Sequence, residues 1–250
     1  MYIISPGHHE TADKFWKEKL GSKPNGARTL GSAQAKYLAP VFERYYDMLI
    51  TYCSAFEFEI PKGVKKIAIC WHQNFPWVEA FKQWQRVNIK LKDYEVDWFC
   101  NEETIVKLIR EGGGRAFYLP RFIDTHEMPR PKIAKEYNTL WFGNQWGGFQ
   151  GEFAMYKRNA REPYWVTHGT FGYGDKKIKE VNHEQSLEIV NKARTVWAIG
   201  VSQLEAQYLG ARVVSYRGKV LPYYDETTIP LFLERLLDKI WSERDPSFGE

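Results

Sequence analysis

The segment Ser202-Gln203-Leu204-Glu205 has the residue types of a phosphate and ribose site. It follows the β-branched run Thr195–Ile199 and Gly200, and Gly210 closes it before a second run, Arg212–Ser215. This order predicts a short helix over Ser202–Leu209, capped by Ser202, between two parallel strands. The unpaired N–H groups and positive end of such a helix favour a phosphate. Glu205, in the first turn, offers a carboxylate to a ribose hydroxyl pair. Without a ligand the same residues are a plain cap and a surface glutamate.

Histidine supplies the other candidate chemistry, because its ordinary pKa lies near neutrality. His72 ends the apolar run KIAICW, and His8-His9-Glu10 follows the N-terminal run Met1–Pro6. His72 or His9 is placed to take a proton from an acceptor hydroxyl, with His8, Glu10 and Trp77 beside the acceptor. The alternatives are a satisfied structural histidine at 72 and a solvated pair at 8 and 9. Adjacent histidines on a loop are poor zinc spacing, so no metal is assigned. Asp124 reads first as a turn-stabilising residue, and Lys176-Lys177-Ile178-Lys179 as a solvated edge.

The elements that must position these residues alternate between short apolar runs and amphipathic segments, the pattern of parallel strands joined by helices. Strands are expected at Met1–Pro6, Asp47–Phe56, Lys66–Trp71, Val96–Cys100 and Ala116–Leu119. Helices are expected at Ser32–Tyr46, Val78–Leu91 and Thr104–Glu111, the last started by Asn101-Glu102-Glu103 and stopped by Gly112-Gly113-Gly114. The charged, proline-containing stretch 127–136 reads as a linker. A second series follows, with strands at Thr139–Phe142, Tyr164–Thr167, Thr195–Ile199 and Arg212–Ser215, and helices at Gly151–Asn159, His183–Ala193 and Thr227–Ile240. The fold class is therefore α/β, with two Rossmann-like domains, 1–126 and 137–250. Ligands of open parallel sheets sit beyond the carboxyl ends of the strands, which is where the candidate residues fall.

Trp197–Ser215 resembles the donor-site segment of GT-B glycosyltransferases. Other segments are similar in order: IAICWH at 67–72, VDWFCNEETIVKLIREGGGRAFYLPRFID at 96–124, and LWFGN at 140–144. The resemblance implies two parallel sheets facing a cleft, with a nucleotide sugar, UDP-linked, on the second domain. It implies ribose at Glu205, phosphates at Ser202 and its following backbone (Gln203, Leu204), close phosphate approach at Gly143 and Asn144, and His72 near acceptor and donor sugar. Retaining members carry a further glutamate where this chain has Trp197. The first cations after the glycine turn are Lys157 and Arg158, and these or Arg121 are the candidates to hold the diphosphate. Both retention and inversion stay open.

The reading is an enzyme that moves a sugar from a nucleotide sugar to an acceptor hydroxyl. It needs no cofactor beyond that co-substrate. The chain has 250 residues, a net charge of +4 and 10 tryptophans, a balance that permits a polyanionic partner. Small glycosyltransferases of DNA-modifying bacteriophages resemble this size and arrangement, which implies a hydroxymethylated base in double-stranded DNA as acceptor. Cell-surface glycan and small molecules are the other acceptor classes. A non-catalytic nucleotide or nucleic-acid binding module and a sugar-nucleotide epimerase of the same fold are the alternative functions. Three cysteines without a CxxC pair suit a reducing, cytoplasmic setting, the host cytoplasm if the protein is viral. No apolar run reaches membrane-span length, so a soluble monomer without a membrane partner is expected.

Overall fold

A computed structural model describes residues 1–4, 26–51, 60–71, 77–143, 150–167, 169–215 and 219–244. Within these the chain divides into two compact units, Met1–Arg121 with Glu226–Glu250, and Phe122–Asp225. The 137–250 domain expected from the sequence would place the last helix in the second unit, but it belongs to the first.

In the first unit the apolar runs form five parallel strands: β1 (Tyr2–Ile4), β2 (Met48–Thr51), β3 (Lys66–Trp71), β4 (Glu95–Cys100) and β5 (Arg115–Tyr118). They lie in the order β1-β2-β3-β4-β5, with Ile50 opposite Ile69 and Ile69 opposite Trp98. Near-continuous apolar strands need cover on both faces. On one face Ile67, Ile69, Trp98 and Cys100 pack with Trp84 and Val87 of α2 (Trp77–Lys90) and Ile105 and Ile109 of α3 (Glu103–Glu111). On the other, Phe42 of α1 (Gly26–Phe42) and Tyr46 each make a T-shaped contact with the Phe99 ring. The N-cap of α3 is Glu102, with no side-chain cap bond, and Asn101 is buried instead. The glycine stop has a packing reason: a Cβ on Gly112 would lie 2.5 Å from the Trp84 ring.

Helix α7 (Ile229–Arg244) packs on α1. Arg44 bonds Glu234 at 2.6 Å, the Tyr45 hydroxyl donates to Asp238, and the Trp241 ring stacks on Tyr45. Asp97, fully buried in β4, fixes the far end of the helix: it pairs with Arg115 at 2.8 Å and with Arg244, and accepts from the Tyr46 hydroxyl at 2.6 Å. Burial, then the neighbouring Asp97 charge, holds the Tyr46 phenol well above its ordinary pKa.

The second unit holds a six-stranded sheet in the order β11-β10-β6-β7-β8-β9. Its strands are β6 (Tyr137–Phe142), β7 (Tyr164–Thr167), β8 (Thr170–Tyr173), β9 (Lys176–Glu180), β10 (Ala193–Ala198) and β11 (Arg212–Val214). The sheet is mixed rather than parallel, because β8 and β9 form an antiparallel hairpin on β7. The run Lys176–Lys179 is thus a strand, exposed at every residue. Helix α4 (Gln150–Asn159) covers Trp141, Trp165 and Trp197 on one face. Helices α5 (His183–Val190) and α6 (Val201–Tyr208) cover Leu140, Val166 and Val196 on the other. The stretch 127–136 is strapped onto this unit. The Asn191 amide donates to the Arg130 carbonyl at 2.7 Å and accepts from Lys132 N–H at 2.8 Å, and the Lys135 ammonium donates to the Asn191 and Leu209 carbonyls. No helix among the described residues is long and apolar enough to cross a membrane.

Candidate functional site

The strand order of the second sheet reverses between β6 and β10. From β6 the chain moves one way to β7, β8 and β9, then returns to place β10 and β11 on the opposite side of β6. The carboxyl ends of β6 and β10 lie side by side there, with α4 covering one face of the sheet and α6 the other, and a reversal of this kind is where open α/β sheets place a ligand crevice. The first sheet, whose consecutive strands are all neighbours, has no such reversal among its described strands.

Gly143 leaves β6 and Gly200 leaves β10 at this point. Gly143 has φ +130, and a Cβ built on it would lie 3.5 Å from the Ser202 Oγ. A side chain there would both strain the backbone and fill the gap beside Ser202. Gly200, at φ 63, is the N-cap of α6 and provides no side-chain cap bond. Ser202 is therefore the second residue of the helix rather than its cap, and its hydroxyl lies beside Gly143. The other residues expected here contribute differently. The Gln203 amide donates to the Ala198 carbonyl at 3.1 Å and accepts from Leu221 N–H at 2.8 Å, so it pins the segment after β11 to α6. Leu204 is fully buried core. These two can offer a ligand backbone alone.

Glu205 is a buried residue rather than a surface one, and its side chain is 12% exposed. Desolvation penalises the carboxylate and pushes its pKa up to about 7. His183 lies beside it, Nε2 to Oε1 3.6 Å. The strand β9 runs parallel to β7, so α5, which follows it, also starts at the carboxyl edge of the sheet. An Asn182–Gln185 capping box fixes that start, and His183 is the first helical residue. His183 carries no motif in the sequence; only the topology brings it to Glu205.

Several expected residues lie elsewhere. Helix α4 runs from the carboxyl end of β6 to the amino end of β7, so Lys157 and Arg158, in its last turn, are at the opposite edge of the sheet from Gly143. Lys157 pairs there with Asp175 of the β8–β9 turn at 2.5 Å. Arg121 is buried in the first unit against Glu102 at 2.8 Å, and desolvation lowers its pKa. Trp197, at the position of the absent second glutamate, packs against Tyr156 under α4, ring centroids 6.0 Å apart. Asp124 caps the short 3-10 helix Thr125–Glu127 by accepting from His126 N–H at 3.1 Å, the turn role expected of it. His8, His9, Glu10, His72 and Asn144 lie outside the described residues, as does the Trp77 side chain.

No protein-family model matches the chain, and no curated protein matches it.

Proposed function

We propose that the crevice at the β6–β10 reversal binds a nucleotide sugar and that the protein transfers the sugar to an acceptor hydroxyl. The observation that carries this reading is the approach of Gly143 to Ser202 at the head of α6. A glycine turn without a side chain, a helix start without a side-chain cap and a hydroxyl between them suit a diphosphate. Glu205 then receives the ribose hydroxyls, its carboxyl able to accept or, when protonated, to donate. In the reaction the acceptor oxygen bonds to the anomeric carbon, the bond from that carbon to the diphosphate oxygen breaks, and the acceptor proton passes to a base. His72 and His9 are the proposed bases on residue type, and a hydroxymethylated base in DNA is the proposed acceptor.

One observation favours a second reading, a nucleotide-binding module without turnover: Lys157 and Arg158 stand at the wrong edge of the sheet to neutralise a leaving diphosphate. The deciding experiment incubates the protein with a panel of sugar nucleotides and hydroxymethylated duplex DNA, and reads released nucleotide and DNA mass. A mass gain of one sugar supports transfer. Nucleotide release without acceptor points to an epimerase or hydrolase. Tight binding with no release selects the binding module, and no binding sinks the site.

A further inference from the structure

The cations that fail to reach the crevice assemble elsewhere. Lys157 and Arg158 end α4, and Arg161 follows in the connection to β7. The β8–β9 hairpin closes over the same end of the sheet: Gly174 N–H donates to the Pro163 carbonyl at 3.0 Å, and the Trp165 indole donates to the Gly174 carbonyl at 2.9 Å. Lys176, Lys177 and Lys179 then run along β9, which is the sheet's edge strand. Three carboxylates accompany these six cations. Asp175 is neutralised by Lys157, Glu180 by Lys177, and Glu162 accepts from the Asn138 amide. Arg158, Arg161, Lys176 and Lys179 are all exposed and have no carboxylate within ion-pair distance among the described residues.

An edge lysine or two prevents sheet-to-sheet aggregation, but that accounts neither for the arginines on α4 and its following turn nor for the hairpin being held against them. Lys176 and Lys179 lie along the extended strand, about 10 Å apart at 3.4 Å per residue, and Arg158 and Arg161 stand near its start, where Lys157 of the same helix end reaches Asp175. The outer N–H groups of an edge strand add donors along the same line. A linear polyanion matches this shape, and duplex DNA carries a phosphate about every 3.4 Å of axis on each strand. We propose that this corner of the second unit, Arg158, Arg161, Lys176 and Lys179 with the β9 edge, binds the phosphodiester backbone of a nucleic acid. The crevice lies three strands away, roughly 14 Å at 4.8 Å per strand, so a backbone held here is a contact separate from the sugar-nucleotide site. The proposal rests on charge and topology and stands whether or not DNA is the sugar acceptor.

The test uses the full chain and a fluorescein-labelled duplex DNA of about 20 base pairs, with anisotropy titrations over a salt series. Wild-type protein binds with a steep salt dependence. Replacing all four residues by glutamine, and separately by glutamate, reduces the slope of log K against log salt by about 3.6, or 0.9 per lost phosphate contact. The affinity gained on lowering salt from about 1 M to about 0.1 M shrinks by up to about 4,000-fold, the 3.6 decades that this slope change implies. Circular dichroism confirms that both variants fold, and their UDP-glucose binding is retained. The proposal is overturned if wild type fails to bind the duplex at low salt, if the folded variants keep affinity and slope, or if phosphatidylserine vesicles are bound in preference to DNA. Loss of UDP-glucose affinity in a folded variant would likewise overturn the separation of the two sites.

Discussion

Replacing Glu205 by glutamine should stabilise the protein, but only at neutral and alkaline pH. The side chain lies nine-tenths buried, and desolvation raises its pKa from 4.5 to about 7. The folded chain therefore holds the proton more tightly than the unfolded one. The stability linked to the neutral acid is complete below about pH 4.5 and is lost as pH rises toward 7, above which the ionised form carries a constant penalty. A shift from 4.5 to about 7 corresponds to an upper bound of about 3 kcal/mol at 1.36 kcal/mol per unit. The 12% residual exposure of the side chain reduces this, so about 1–3 kcal/mol is expected. Glutamine is nearly isosteric and stays neutral. Urea unfolding of wild type and Glu205→Gln at about pH 4 and about pH 8 reads the difference directly. The variant should be close to wild type at the lower pH and more stable by about 1–3 kcal/mol at the higher. An equal difference at both values would show that Glu205 sits ionised without penalty, and the description of a desolvated carboxyl would fail.

Two further outcomes test the packing. Asp97→Ala leaves Arg244 and Arg115 without their shared carboxylate; since both arginines keep some exposure, a loss of about 2–4 kcal/mol in urea unfolding is expected, and less than about 0.5 would contradict the latch on α7. Gly112→Ala puts a methyl 2.5 Å from the buried Trp84 ring and should destabilise by about 1–3 kcal/mol through overpacking. Gly113→Ala meets open space but needs φ +86, so its smaller cost of about 1 kcal/mol is backbone strain. Thermal unfolding that ranks the two glycines in the reverse order would refute that assignment.

The strands that carry the fold were legible because burial on both faces leaves a continuous apolar run, as in KIAICW for β3, VDWFC for β4 and LWF in β6. The β8–β9 hairpin was not, because KKIKE is exposed at every residue and has no apolar alternation to announce a strand. The last helix was legible as a helix, yet its membership in the first unit depends on Asp97, Arg44 and Tyr45, residues far away in sequence. At the candidate site, Gly143, Ser202 and Glu205 were readable as strand-end residues. His183 was not, since its place beside Glu205 follows from β9 ending at the carboxyl edge. Lys157 and Arg158 misled for a simple reason. They are near Gly143 in sequence, but α4 carries them away at 1.5 Å per residue, about 10 Å from its start.

Gly143 and the start of α6 are the proposed diphosphate site. Calorimetric titration of UDP-glucose into wild type and Gly143→Val probes that site. Valine at φ +130 is strained and would crowd the Ser202 hydroxyl. Wild type should bind measurably, and a variant that circular dichroism shows to be folded should lose at least about 10-fold in affinity, 1.4 kcal/mol. A folded Gly143→Val protein that binds UDP-glucose as tightly as wild type would contradict that site.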